Sequence, residues 1–183
     1  ACRRARRRPR PRPGRSAGGG RMKPWVRRLL AAALLVGGCV GIAILAANTP
    51  TLFGQGGIVV VLTVGWLVLF AAAAVAGVML WREAPGGLGL ALGLYLLQVP
   101  VLATSPLHWS WFTGIQVAVQ LAGAGRDSNL VMNLHFGANG QFFLGSNVAV
   151  ASFGLNLFAL AAVVLLLRAW RRPRGGSDGE GRA

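Results

Sequence analysis

Acidic residues are scarce in this chain of 183 residues. Four Asp and Glu residues stand against nineteen Lys and Arg, and 13% of the residues are charged. Soluble domains carry about 25% charged residues, so this composition excludes an ordinary soluble enzyme. Because 54% of the residues are hydrophobic, a wholly disordered chain is excluded too. The composition is typical of a small polytopic membrane protein.

Cysteine and histidine are also rare. Cys2 and Cys39 are the two cysteines, and neither lies in a CxxC motif, which excludes a disulfide scaffold and thiol–disulfide chemistry. His108, His135 and Asp127 are the candidates for an extramembrane metal or catalytic site, but a structural metal site usually needs four ligands. No phosphate-binding loop or nucleophile motif is present. We therefore expect no cofactor, no metal and no enzymatic activity.

Four uncharged or nearly uncharged segments are long enough to cross a bilayer, which takes about 20 residues. They are 29–47, 58–81, 87–104 and 148–168. Since backbone amides in hydrocarbon must be paired within the segment, we expect each one to be a transmembrane helix. Lipidation at Cys39 is an alternative for the first segment. The residues after Cys39 stay apolar, however, which favours a membrane helix.

Basic residues indicate how the chain is threaded. They precede the first segment, separate the second from the third, and follow the fourth, whereas 48–57 contains none and 105–147 contains Arg126 alone. The positive-inside rule then places both termini in the cytoplasm. The preference for Arg over Lys, with abundant Ala and Gly, is typical of a GC-rich bacterial genome. We therefore expect a multi-pass protein of the bacterial inner membrane.

Both ends of the chain are basic and of low complexity. Residues 1–21 are rich in Arg and Pro, which predicts a disordered extension. Translated GC-rich DNA upstream of Met22 would also give such a composition, and an anionic-lipid or nucleic-acid tail is the functional alternative. Residues 169–183 are predicted to be a disordered cytoplasmic tail. Nucleic acid is not an expected partner, because the charge is concentrated in these ends.

The segment 105–147, between the third and fourth apolar segments, predicts an external β-rich module. Apolar residues alternate with others along 115–121 and along 130–136, and this period of two is typical of half-buried strands. Asn139-Gly140 is a strong signal for a two-residue hairpin turn, and 123–127 predicts the preceding turn. We expect three or four short antiparallel strands over the outer ends of the helices.

A few features inside the apolar segments predict contacts between elements. The sets Gly37-x-x-x-Gly41, Ala73-x-x-x-Gly77 and Gly89-x-x-x-Gly93 allow helices to approach closely. Polar side chains there more often form hydrogen bonds between helices than line an ion pathway, since ionisable residues are missing. The candidates for such intramembrane polar contacts are Tyr95, Gln98, Ser152 and Asn156.

The sequence thus predicts an α-helical integral membrane protein with four transmembrane helices and a β-rich insertion between helices 3 and 4. The leading hypothesis for its function is a non-enzymatic accessory or structural component. Its expected partner is the lipid bilayer, and its β-module would contact the membrane surface or a protein. A subunit of an oligomeric transporter or channel is the alternative, and a membrane enzyme is the third hypothesis. Oligomeric state does not follow from the sequence.

Overall fold

Helices and strands follow one another in a simple order. The computed structural model describes residues 22–52, 56–104, 107–123, 128–144 and 151–171. The predicted extension 1–21, residues 124–127 of the predicted turn and residues 172–183 of the predicted tail lie outside the described residues. The prediction of a disordered tail from 169 is wrong for Ala169 and Trp170, which belong to the last helix. The elements are α1 (Pro24–Leu52), α2 (Gly57–Trp81), α3 (Gly87–Gln98), β1 (Pro100–Ala103), β2 (Leu107–Ala122), β3 (Asn129–Leu144), β4 (Ser152–Asn156) and α4 (Leu157–Trp170). The predicted arrangement of four helices, with antiparallel strands between the third and fourth, is present, but β2 and β3 have 16 residues each and are not the short strands predicted.

Helices α1 and α2 form an antiparallel pair and are long and apolar enough to cross a membrane. They approach closely through small residues: a Cβ on Gly77 would lie 2.8 Å from the Cβ of Leu35. Large apolar side chains of α2, such as Ile58, Val61 and Val68, are exposed. A helix that is apolar all round and still exposed is typical of one that faces lipid rather than water.

Helices α3 and α4 are shorter than the sequence predicted. The predicted helix over 87–104 ends at Gln98, because Pro100 lacks an N–H donor and its ring would clash with the preceding helical turn; Val99 itself still has helical angles. The predicted helix over 148–168 begins at Leu157, where the Asn156 side chain accepts a hydrogen bond from the N–H of Ala159 and caps the first turn. Residues 100–103 and 152–156 are strands instead.

The strands form one antiparallel sheet in the order β1-β4-β2-β3, in which β1 also pairs with β2. Strands β2 and β3 make a long ribbon that runs in continuous register from Leu107↔Leu144 to Ala122↔Asn129. The predicted turn at Asn139-Gly140 is therefore wrong, since both residues lie inside β3. Gly140 instead permits a close approach, because a Cβ there would lie 2.8 Å from the ring of Trp66.

Two glycines bend the ribbon into a half-barrel. Gly114 of β2 and Gly137 of β3 are register partners, and both have a left-handed φ, 85° and 123°. Such angles are readily available to glycine but strained for other residues. Before the bend, His108 and Trp109 of β2 pair with β1; after it, 118–122 pair with β4. Strand β2 therefore lies along both edges of the β1–β4 pair, next to β1 before the bend and next to β4 after it.

The core joins the helices to the bend of the sheet. Trp111 is buried against Phe70 of α2, with ring centroids 6.4 Å apart. Tyr95 of α3 and Phe158 of α4 meet edge to face at 6.2 Å. All four helices contribute buried residues to this cluster, so the sheet is anchored in the helical bundle rather than resting on its ends.

Candidate functional site

The sheet has one apolar face and one largely polar face. Residues paired across neighbouring strands lie on the same face, and successive residues of a strand lie on opposite faces. The observed registers therefore assign the strand residues to two faces. What we call the outer face comprises Pro100, Leu102, Leu107, Trp109, Trp111, Thr113, Ile115, Val117, Val119, Leu121, Leu130, Met132, Leu134, Phe136, Ala138, Gly140, Phe142, Phe153 and Leu155. The inner face comprises Val101, Ala103, His108, Ser110, Phe112, Gly114, Gln116, Ala118, Gln120, Ala122, Asn129, Val131, Asn133, His135, Gly137, Asn139, Gln141, Ser152, Gly154 and Asn156.

One part of the outer face packs against the helices. Trp109 lies 5.7 Å from Trp66 of α2, measured between ring centroids, and Phe142 stacks edge to face on Trp109 at 6.1 Å. Both contacts lie in one half of the ribbon, which consists of residues 107–113 of β2 and residues 138–144 of β3. They bury that part of the apolar surface within the protein.

The rest of the outer face is exposed. Leu130, Met132 and Phe136 are 74%, 73% and 72% exposed, and Phe153 of β4 is 59% exposed. Cross-strand pairs such as Leu121↔Leu130 and Leu121↔Phe153 make these side chains neighbours. A continuous apolar surface of this kind marks contact with a membrane or with another molecule.

The inner face lines the inside of the half-barrel. The rings of Phe112 and His135 are 6.0 Å apart, although the register partner of His135 is Gln116, further along the same strand. The ribbon must therefore fold toward this face. Gln116 is buried, and His108 Nε2 forms a hydrogen bond of 2.9 Å with Gln141 Oε1. The inside is thus amide-rich, whereas the outside is apolar.

Tyr95 and Gln98, two of the predicted intramembrane contacts, are fully buried in α3. The Tyr95 hydroxyl donates a hydrogen bond of 2.8 Å to the carbonyl oxygen of Leu30 in α1. Gln98 binds Thr113 twice: its Nε2 donates to Thr113 Oγ1 at 3.0 Å, and its Oε1 accepts from the Thr113 N–H at 3.1 Å. Gln98 therefore fixes the end of α3 to the sheet next to the bend.

Ser152 and Asn156, the other two candidates, share a face of strand β4 rather than of a helix. Asn156 is fully buried, and its Oδ1 accepts from the N–H groups of Val117 at 3.2 Å and Ala159 at 3.4 Å. Its Nδ2 is buried, and no described residue accepts a hydrogen bond from it. Ser152 is half-buried and pairs through its strand with Ala103 and Ala122.

The histidines are not brought together into a recognisable metal site. His108 contacts Gln141, and His135 packs against Phe112. Asp127 lies outside the described residues. Among the residues that the structure does describe, no group of three or more metal-ligand side chains is found.

Sequence reasoning missed the importance of Thr113 and of the two bend glycines. A glycine inside an alternating strand pattern indicates a bulge or a close backbone approach. Gly114 is such a glycine, so the bend at this position could have been predicted. A Cβ on Gly37 of α1 would overlap the backbone of Thr113 and Gly114. Gly37, Gln98, Thr113 and Gly114 together form the junction where the sheet enters the helical bundle.

No protein-family model, curated protein or solved structure matches this chain. Its function must therefore be argued from its own residues.

Proposed function

We propose that the protein is a non-enzymatic accessory or structural component of the bacterial inner membrane, and that the exposed outer face of its sheet lies in lipid. The separation of the sheet into an apolar outer face and an amide-rich inner face is the observation that carries this proposal. Membrane β-structures place apolar residues toward lipid and polar residues toward the inside in the same alternating way.

Helix and strand lengths support four crossings. The 12 residues of α3 rise about 18 Å, and the 4 residues of β1 add about 13 Å. The 14 residues of α4 and the 5 of β4 rise about 21 Å and 17 Å. Laid end to end, α3 with β1 and α4 with β4 would reach about 31 Å and about 38 Å, so each unit is long enough for a hydrocarbon thickness of about 30 Å. Segments 87–104 and 148–168 would cross as composite spans.

Strands at bilayer depth need paired backbone groups. Strand β1 pairs with β4 and with β2, and β4 pairs with β1 and with β2. Strand β4 has a partner on either side, and β1 has one on either side at Leu102 and Ala103, whereas Pro100 and Val101 pair with β4 alone. This pairing allows β1 and β4 to lie in hydrocarbon. The outer edge of β3, which pairs among the described strands only with β2, would need water, lipid head groups or a second copy at its backbone groups.

The basic residues support the proposed orientation. Within the described ranges, every Lys and Arg lies where α1 begins or where α2 or α4 ends. These ends lie together at one end of the bundle, because Arg27 of α1 forms an ion pair with Glu83, which follows α2, and the Trp170 ring of α4 lies beside Gly89 in the first turn of α3. We place this end in the cytoplasm and the hairpin between β2 and β3 on the opposite side.

Spin labels on neighbouring residues test the position of the sheet. Met132→Cys and Asn133→Cys each receive a nitroxide in protein whose Cys2 and Cys39 are replaced by alanine, reconstituted in lipid vesicles. The label at position 132 should be relaxed strongly by oxygen and weakly by a water-soluble nickel chelate, because the outer face is in lipid. The label at position 133 should show the reverse preference.

The two positions control for each other, since they differ by one residue in the chain and by the face of the sheet. Strong relaxation of both labels by the nickel chelate would show that the outer face is in water and would refute the proposal. Insensitivity of the position-132 label to both agents would show that protein covers this face, and would refute lipid contact equally.

A subunit of an oligomeric transporter or channel is the second candidate. The inner face is amide-rich, and strand β3 pairs among the described strands only with β2, so one edge of the half-barrel is open. A second copy at this edge would enclose the polar face. Dipolar broadening between Asn133→Cys labels on different copies, removed by dilution with unlabelled protein, would favour this candidate; its absence would count against it.

A further inference from the structure

A cavity of about 670 Å³ opens at the basic end of the molecule. All four helices surround it: α1 contributes Arg27, the end of α2 contributes 79–80, the following turn contributes 83–86, α3 contributes Leu88 and Gly89, and α4 contributes 169–170. Ligand sites of proteins typically have volumes of roughly 300–1,000 Å³. The cavity is therefore large enough for a small molecule or for the head group of a lipid.

The lining is half polar and half apolar. Met79, Leu80, Leu88 and the Trp170 ring form apolar walls, whereas the Arg27–Glu83 ion pair forms a polar one. Trp81 and Trp170 lie at the ends of α2 and α4 and are exposed, as is typical of tryptophans at the membrane–water interface. A molecule with a polar head and an apolar body suits this lining and this depth.

Charge around the cavity selects for an anion. Inside it, Arg27 and Glu83 balance one another. The surrounding helix ends carry no further acidic residue in the described ranges and five further basic ones, namely Lys23, Arg28, Arg82, Arg168 and Arg171. This surplus produces a positive potential at the mouth of the cavity, which favours anionic ligands.

Two hydrogen-bonding features can meet such an anion. The Nε of Arg27 is buried, and no described residue accepts a hydrogen bond from it. Helix α3 also begins at the cavity, with Gly86 as its N-cap, no side-chain cap and no acidic residue in its first turn. The free N–H groups and the positive dipole end of a helix favour phosphate. Gly86 is exposed and carries no side chain, whereas the Gly87 N–H already donates to the carbonyl oxygen of Ala84 and the Trp170 ring lies against Gly89. A phosphate would therefore approach this turn from the side of Gly86.

We propose that this cavity binds the head group of an anionic phospholipid through its phosphate. Arg27 and the first turn of α3 hold the phosphate. The walls formed by Leu88 and Trp170 receive the beginning of the acyl chains. The site is separate from the sheet, so it does not depend on whether the outer face lies in lipid.

Lipid-dependent stability of the full chain in a neutral detergent tests the proposal. We expect phosphatidylglycerol to raise the unfolding temperature in a saturable manner, and phosphatidylcholine with the same acyl chains to have little effect. Arg27→Gln should weaken the apparent affinity for phosphatidylglycerol about tenfold or more. Arg82→Gln removes the same charge from an exposed position outside the cavity and should change the affinity much less.

Each of the following results would overturn the proposal. Equal stabilisation by both lipids would show that the anionic head group is not what the protein recognises. An equal loss of affinity for phosphatidylglycerol in Arg27→Gln and Arg82→Gln would indicate a diffuse attraction between the basic surface and the lipid. Saturable stabilisation by inorganic phosphate alone, equal to that by the lipid, would indicate a free anion as ligand. If Arg27→Gln does not fold, Ala84→Trp fills the cavity without changing its charge; unchanged lipid affinity in that variant would overturn the proposal as well.

Discussion

Replacing Gly37 by alanine is expected to destabilise the protein by about 3 kcal/mol, the upper part of the usual range for overpacking a core. The added Cβ would overlap the backbone of Thr113 and Gly114. A flexible side chain could turn away, but these are main-chain atoms. They are also held in place, because the Thr113 N–H binds Gln98. Reversible unfolding in mixed micelles measures the change in the free energy of unfolding.

Gly65→Ala is the matched control for this prediction. Gly65 is also a helical glycine within an apolar segment, but a Cβ there meets no atom within 4 Å. Alanine favours a helix over glycine by about 1 kcal/mol, so this variant should be neutral or slightly stabilised. Equal loss of stability in both variants would mean that α1 does not pack against the bend of the sheet as described.

Replacing Gln98 by leucine is expected to cost about 2–4 kcal/mol of stability, because a buried polar group left without a partner costs about 1–3 kcal/mol. The change removes both hydrogen bonds to Thr113 and leaves its N–H and its hydroxyl unpaired among apolar atoms. Gln98→Leu should therefore loosen the attachment of α3 to the sheet. The free energy of unfolding, measured in the same micelles, gives the size of the effect.

A double-mutant cycle with Thr113→Val isolates the side-chain part of this interaction. The valine removes the hydroxyl while the N–H remains, so the double variant should recover part of the loss. Tyr95→Phe provides a comparison in the same helix, since it removes one hydrogen bond to a helical carbonyl and should cost about 1 kcal/mol. Additive effects of Gln98→Leu and Thr113→Val would contradict the described contact.

Hydropathy and alternation predicted the elements whose conformation follows from local pattern. Helices α1 and α2 contain the predicted segments 29–47 and 58–81, because long uncharged runs have few other stable conformations. The alternation along 115–121 and 130–136 predicted strands and the faces of their side chains. These features require no knowledge of what packs against them.

Other features depended on tertiary contacts. Hydropathy reports the surroundings of a residue and not its backbone conformation, so 100–104 was predicted as helix although β1 begins at Pro100. Backbone groups that are hydrogen-bonded to neighbouring strands are satisfied in hydrocarbon as they are in a helix. Asn139-Gly140 has the sequence of a turn but lies within a strand. A glycine is needed at position 140 because the ring of Trp66 leaves no room for a side chain there. The contact between Gln98 and Thr113 links residues whose pairing no local pattern indicates.

Cysteine accessibility tests the threading of the chain most directly. Single cysteines are placed at Ser128, which is exposed beside the β2–β3 turn, and at Ser177, in protein whose Cys2 and Cys39 are replaced by alanine. If the composite spans cross the bilayer and both termini are cytoplasmic, a membrane-impermeant maleimide added to intact spheroplasts will label Ser128→Cys and spare Ser177→Cys until the membrane is permeabilised. Labelling of both cysteines in intact spheroplasts, or of Ser177→Cys alone, would contradict this account.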